Sequence, residues 1–280
     1  MADNLIKREE IEFVKKDYDI PERLAHGGSC TVYKGLYRNE SVAIKQPDML
    51  GPNMSKEKVI NEAKLMLEFK GYPTLMRLEG VVVIKDGYLL VMELMPPPGS
   101  LDKFLKNNKN IPLYDKWVLM MDIVYALECL HANRTLHRDI KPANVFLKNG
   151  HAKLGDVGEA SQTVHSSTNM PVTAFYVDPW FTSDTRYTEK SDIYSLGVLL
   201  YEMLLEQHAV PWEAFKIPLL ELQIYKQKNP LKVPDTAPPT MKENLPSFWK
   251  KNRNQRPNVG MVFETLSTSK EEFMKLGKKI

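Results

Sequence analysis

Lys45 closes the apolar run Val42-Ala43-Ile44, and a lysine at the end of a buried strand has to find an anion for its ammonium. Glu62, 17 positions later, stands among apolar neighbours and can supply it. Further on, HRDIKPANVFL sets Asp139 and Asn144 five apart around Pro142, and LGDVG sets Asp156 between Gly155 and Gly158. An amide and a carboxylate are hard oxygen ligands, suited to magnesium on phosphates. Asp139 can then orient an attacking hydroxyl or take its proton. Each group also has a plainer reading. Lys45 can be a strand-edge lysine whose head reaches water, and the two loop motifs can be Asx turns.

These residues need strands, a helix and loops to position them. YKGLYR and ESVAIKQ read as strands separated by Asn39, and VVVIKDGYLLVMELM as a hairpin turning at Asp86-Gly87. Between them, SKEKVINEAKLMLEF carries apolar residues near helical spacing. PPPGS at 96–100 breaks regular structure and makes a stiff connector. Beyond it DKWVLMMDIVYALECLHAN, SDIYSLGVLLYEMLLE and VGMVFETLSTSKEEFMKL read as helices, the second apolar nearly all round and therefore core. Residues 207–246 are proline-rich loops with a short helix near PLLELQIYKQK. The expectation is an α+β chain: a β-rich first lobe with one main helix, a proline hinge and an α-helical second lobe.

The bulk numbers narrow the function. With 280 residues, 43% hydrophobic and 26% charged, the chain is long enough for one large domain or two lobes. A net charge of +3 without a basic run gives nucleic-acid binding little support. Cys30 and Cys129 make no disulfide framework, and no Cys/His cluster has zinc spacing. The charged start MADNLIKREEIEF has no signal-peptide core, and the most apolar run, SLGVLLYEMLL, is too short to span a bilayer. A cytoplasmic setting is expected; nothing in the sequence speaks to oligomeric state.

Taken together, VAIK, HRDIKPANV, DVG, SDIYSLGVLLYEML and FWKKNRNQRP resemble the eukaryotic-type protein kinases over about residues 18–272. The resemblance implies a bilobal kinase fold: an extension at 1–17, an N-lobe at 18–95, a C-lobe at 96–272 and a tail at 273–280. It implies ATP and Mg2+ as cofactors and protein substrates as partners. Lys45 would bind the α- and β-phosphates and pair with Glu62; Asp139 would be the base; Lys141 would steady the γ-phosphate; Asn144 and Asp156 would hold magnesium. Leu24, Ala25, His26, Gly27, Gly28, Ser29, Cys30, Thr31 and Val32 would form the lid over ATP. Val32 and Ala43 would cover one face of adenine, with Phe146 beneath. Met92 would stand as gatekeeper before the hinge residues Glu93, Leu94 and Met95. Lys141, two after Asp139, resembles the Ser/Thr type, and Thr173 aligns with the threonine such enzymes set near that lysine. FYVDP and YTEKSDIYSLGVLLYEM look most like the tyrosine-kinase-like group.

The chain departs from the family in four places. Of the loop's three glycines, at positions Ala25, Gly27 and Cys30, only Gly27 remains, with Gly28 beside it. Val157 replaces the phenylalanine of the metal turn, where a smaller side chain leaves volume unfilled. The Ala-Pro-Glu motif reads Asp178-Pro179-Trp180, so Arg256 must pair with Asp178 or stack on the Trp180 ring. Prolines crowd the hinge ahead of Gly99. These changes keep two alternatives beside an active Ser/Thr protein kinase: a pseudokinase that switches on nucleotide, and a kinase of small molecules. Arg138 is the residue that in many relatives receives a phosphorylated activation segment, and Ser161, Thr163, Ser166, Ser167, Thr168 and Thr173 fall in that stretch. Each also reads as an ordinary solvated loop residue.

Overall fold

The computed structural model describes residues 4–27, 30–49, 55–157, 175–181, 186–205 and 219–277. The chain divides into two compact units, Met1–Pro96 and Pro97–Ile280, with the division inside the proline run.

The first unit is built on a seven-stranded sheet. Its strands are β1 (Leu5–Ile6), β2 (Ile11–Phe13), β5 (Arg23–His26), β6 (Cys30–Tyr37), β7 (Glu40–Pro47), β8 (Leu78–Ile84) and β9 (Gly87–Glu93), in the order β1-β8-β9-β7-β6-β2 with β5 also on β6. A two-stranded piece, β3 (Lys15–Lys16) and β4 (Ile20–Pro21), lies outside it. One helix, α1 (Lys56–Glu68), packs on β8 and β9. Ser55 caps it by accepting from the Lys58 N–H at 3.2 Å.

The residues ahead of position 18, expected to be an extension, supply strands to this sheet. β1 pairs in parallel with β8, and β2 antiparallel with β6. These strands stand at opposite ends of the sheet order, yet only residues 7–10 join them. Five residue steps span at most about 18 Å, whereas five strand spacings laid flat cover about 24 Å. The sheet therefore curls. Inside the curl Ile6, Ile11, Val42, Ile44, Val82, Leu89 and Val91 form one buried cluster. Gly35 and Gly80 let the two N-terminal strands approach. A Cβ on Gly35 would fall 2.8 Å from the Glu12 carbonyl oxygen, and one on Gly80 2.6 Å from that of Asn4.

The β6–β7 turn is Arg38–Asn39, both at positive φ (53° and 64°), the hairpin turn that favours asparagine. The β8–β9 turn sits one residue before the expected Asp86-Gly87, because Gly87 already pairs with Ile84. Gly87 is needed for closeness instead: a Cβ there would lie 2.8 Å from the Met49 side chain.

The second unit is helical: α2 (Leu101–Asn107), α3 (Leu113–Ala132), α4 (Glu189–Leu204), α5 (Leu219–Lys228), α6 (Pro239–Asn244), α7 (Val259–Thr268) and α8 (Lys270–Gly277). α4 is buried from Ser191 to Leu204, as its all-round apolar sequence requires. The last helical stretch, expected as one helix, is two. Ser269 ends α7, its N–H bonded three residues back to the Leu266 carbonyl at 3.2 Å, and its own carbonyl starts α8. α6 was not expected in its proline-rich surroundings; Pro239 at its first turn needs no N–H there. A hairpin of β10 (Val145–Lys148) and β11 (His151–Leu154) turns at Asn149-Gly150, both at positive φ. No helix among the described residues is long and apolar enough to cross a membrane.

Candidate active site

In the first unit, register sorts the side chains onto two faces. Val32 is opposite Lys45, which is opposite Leu90, and Ala43 is opposite Met92. Directly opposed residues share a face, so these lie together, away from the curled interior that holds Val42, Ile44 and Val91. α1 presents Val59, Glu62, Ala63 and Met66, one buried helical stripe. Lys45 Nζ meets Glu62 Oε1 at 2.7 Å, with both residues buried. Because an ammonium and a carboxylate are each costly alone in such a place, the pair fixes both. By alternation Cys30 falls on this same face, two residues from Val32 and opposite Pro47. Next to the turn that joins β5 to β6, Ala25 pairs with Val32 and His26 with Thr31, and His26 Nδ1 lies 2.9 Å from Thr31 Oγ1. The Gly27 N–H bonds the Cys30 carbonyl at 2.9 Å, while Gly28 and Ser29 lie outside the described residues. Leu24 is half-buried in β5. Glu93 is bound twice to Arg77, backbone to backbone at 3.1 Å and through Oε1 to the Arg77 N–H at 2.9 Å. Met92 and Glu93 are buried and Met95 half-buried.

In the second unit the loop after α3 hangs on Asp192 of α4. This carboxylate accepts from His131 Nε2, from the His137 and Arg138 N–H groups, each at 2.9 Å, and from the Tyr187 hydroxyl at 2.8 Å. Burial pushes its carboxyl up, but the His131 bond and the neighbouring donors outweigh that and hold it below the ordinary value. Arg138 adopts φ 70°, an unfavourable conformation for a side chain with Cβ. The grip on its N–H over-determines that strain, and the next residue is Asp139.

Asp139 Oδ2 receives Lys141 Nζ at 2.6 Å and Asn144 Nδ2 at 2.9 Å; Nδ2 also donates to the Asp139 carbonyl at 2.8 Å. The turn at Gly155-Asp156 is tied to the same loop. The Gly155 N–H donates to the Asn144 carbonyl at 2.9 Å, and His137 Nε2 donates to the Gly155 carbonyl at 3.0 Å. Asp156 follows at φ 56°, exposed, and Val157 is buried. Phe146, in β10, bridges to Ser100. The donor set fits magnesium. Asn144 spends its amide hydrogens on Asp139, which leaves the amide oxygen as its ligating end, and Asp156 adds a carboxylate from the adjoining turn.

Arg256 bears out its expected pairing. Nη1 meets Asp178 Oδ2 at 2.8 Å and Nη2 meets Oδ1 at 3.1 Å, a two-pronged bond with both residues 2% exposed. Its Nε and Nη1 also reach the Lys250 and Lys190 carbonyls, and the Trp180 ring centre lies 6.0 Å away. Sequence reasoning missed Arg253, whose Nε also binds Asp178 Oδ2 at 2.9 Å. It missed His131 as a holder of Asp192 and the contacts of α5, whose Gln223, Lys226 and Gln227, at i, i+3 and i+4, reach backbone carbonyls between Phe175 and Phe181. Gly158, Thr173 and the Ser/Thr positions 161–168 lie outside the described residues.

The protein kinase domain model matches residues 18–266. The chain belongs to the protein kinase family, with its β-rich first lobe and helical second lobe. It is 28% identical to the tyrosine-protein kinase csk-1 of Caenorhabditis elegans, over 90% of this chain and 47% of that protein. To the dual specificity protein kinase shkE of Dictyostelium discoideum it is 28% identical, over 94% of this chain and 37% of that protein. To the wall-associated receptor kinase-like 10 of Arabidopsis thaliana it is 31% identical, over 72% of this chain and 27% of that protein. The chain spans less than half the length of these relatives.

Proposed function

We propose that the chain transfers the γ-phosphate of ATP to serine and threonine hydroxyls of protein substrates, with Mg2+ required. The observation that carries this is Asp139, whose carboxylate is fixed by Lys141 and Asn144 on a loop hung from Asp192. A carboxylate held this way can align a hydroxyl and accept its proton. Lys141 lies beside that carboxylate and can meet the negative charge of the phosphoryl group in transfer. Lys45, aimed by Glu62, is the cation for the inner phosphates. Asn144 and Asp156 would hold the metal ion, which when bound offsets phosphate charge. The serine/threonine preference rests on Lys141; relatives named as tyrosine and dual-specificity kinases keep the alternative in the test. Leu24–Val32 forms the lid, Val32, Ala43 and Phe146 bracket the base, and Met92, Glu93 and Met95 line its edge in this reading. The setting is cytoplasmic.

A second reading, a nucleotide-binding switch with little turnover, draws on Cys30. It puts a side chain on the face of Lys45 where the family carries glycine. Radiolabel transfer from ATP to casein, with phosphoamino-acid analysis, separates the readings. The proposal expects phosphoserine and phosphothreonine, and Asp139→Asn lowers the rate by about a thousandfold. Thermal stabilisation by Mg-ATP with no transfer favours the switch, and phosphotyrosine alone overturns the preference.

A further inference from the structure

The stretch Phe175–Phe181 is irregular and turn-rich, so it has no ladder to satisfy its carbonyls. α5 supplies the donors instead. Lys226 Nζ donates to the carbonyls of Phe175 at 3.0 Å and Val177 at 2.5 Å. Gln227 Nε2 donates to the Pro179 carbonyl at 2.7 Å, and Gln223 Nε2 to that of Phe181 at 3.1 Å. Four carbonyls, each two residues from the next, are thus read by one face of one helix. The intervening residues are held from other sides. The Tyr176 carbonyl accepts from Ser195 Oγ at 2.9 Å, its hydroxyl donates to Glu202 at 2.6 Å, and Asp178 is the partner of Arg256 and Arg253.

The geometry points to α5 as a register clamp: Gln223, Lys226 and Gln227 are positioning residues that fix the backbone of Phe175–Phe181 for engagement of the protein substrate. This rests on the proposed transfer to protein hydroxyls, since Thr173, two residues ahead of Phe175, is the residue that the family likeness sets beside Lys141.

Lys226 is an expensive choice for a purely structural contact. It is 3% exposed, and among the groups that face it are Asp178, the Tyr194 ring at 5.0 Å and, across that ring at 5.2 Å, Arg256. Burial draws its ammonium down to about 7, with Asp178 opposing the shift. An apolar residue would fill the space without that cost. What it would lack is the ability to hold two carbonyls at once.

The test is hydrogen exchange of the whole chain, read over residues 175–181, together with the KM for casein and for Mg-ATP. Lys226→Met should raise exchange over 175–181 about tenfold, the worth of one net hydrogen bond, and leave α3 and α4 unchanged. The casein KM should rise by a similar factor, with the Mg-ATP KM within about twofold. Gln223→Ala/Gln227→Ala removes two donors from half-buried and exposed positions, and should act in the same direction if Lys226→Met does not fold. Unchanged exchange in the double variant overturns the clamp, and raised exchange with an unmoved casein KM overturns its role for substrate. If the unaltered chain transfers no phosphate at all, the proposed function fails while exchange still decides the clamp.

Discussion

Two buried ion pairs, one in each unit, have opposite characters. In Lys45–Glu62 an ammonium, a compact point charge on a strand, meets one carboxylate oxygen from a helix at 2.7 Å. Arg256–Asp178 is a two-pronged bond in which the guanidinium also reaches two carbonyls and the carboxylate takes a second arginine. In the proposed function the first is the cation for the inner phosphates of ATP. The second is saturated by the protein itself, so its work is to fasten the segment at 178 to the end of the helical unit. The two differ in the shape of the cation, a point charge against a planar fork, and in enclosure, the Lys45 side chain being 10% exposed and that of Arg256 0%.

The largest consequence follows from the saturated pair. Asp178→Ala leaves Arg256 charged and buried without its carboxylate, at a cost of about 3–5 kcal/mol. The thermal midpoint should fall by roughly 10 °C. The Trp180 ring faces the same guanidinium, so a carboxylate at that position can reach it. Trp180→Glu in the Asp178→Ala background should therefore recover much of the loss. Differential scanning calorimetry of the three chains checks it, and a double variant no more stable than Asp178→Ala refutes the equivalence of the two positions.

Glu62→Gln should cost roughly half as much stability, because Lys45 is less completely enclosed. The sharper expectation is its response to ligand. In the proposed function the phosphates of Mg-ATP meet Lys45, so saturating Mg-ATP should raise the midpoint of Glu62→Gln by more than that of Asp178→Ala. Equal shifts in the two variants would erase the distinction between the aimed and the saturated pair.

How each pair was read from sequence follows the same division. Lys45 and Glu62 stand in a strand and a helix whose periodicities are plain, and their pairing was expected from the family likeness. The Asp178–Arg256 contact spans 78 positions, and no periodicity reports it. It was legible only because the motif had lost its usual acid and Arg256 needed another. Asp139, Asn144 and Asp156 were legible by type and spacing. The likeness of SDIYSLGVLLYEML to the family's buried helix marks Asp192 as its anchoring aspartate, but that it grips the His137 and Arg138 N–H groups could not be read, because backbone donors carry no sequence signature. Strands β1 and β2 were missed for a related reason. They are two and three residues long, and what reveals them is the space left at Gly35 and Gly80, which only the structure shows to be filled by Glu12 and Asn4. The Asn149-Gly150 turn is a sequence signal that went unread. Splitting of the last helix at Ser269 has no proline or glycine to announce it.

A smaller effect comes from Lys226, whose ammonium contacts the same segment that Asp178 fastens. Folded, it releases its proton near 7, by burial, against an ordinary value of 10.5. The unfolded chain therefore binds more protons between those two values, and stability from this group rises with pH through that window. From pH 6.5 to 9 the unaltered chain should gain on the order of 2 kcal/mol relative to Lys226→Met. Urea titrations of both chains at the two pH values measure the difference. A gain of the opposite sign would mean that the lysine is held charged by Asp178.

The smallest effect belongs to the face of Lys45. Cys30 stands on that face at the end of β6, where the family has a glycine that lets the backbone come close to phosphates. In the proposed function its side chain would have to clear the phosphates or turn aside, and the grip on nucleotide would be weaker without any change at Lys45 or Glu62. Cys30→Gly should lower the Mg-ATP KM by about threefold, less than 1 kcal/mol, with kcat unchanged. Glycine also frees the backbone and costs up to about 1 kcal/mol of stability in a strand. The two effects separate cleanly, one in KM and one in the midpoint. An unmoved KM would show that the nucleotide is held by the Lys45–Glu62 pair and not by the closeness of the loop.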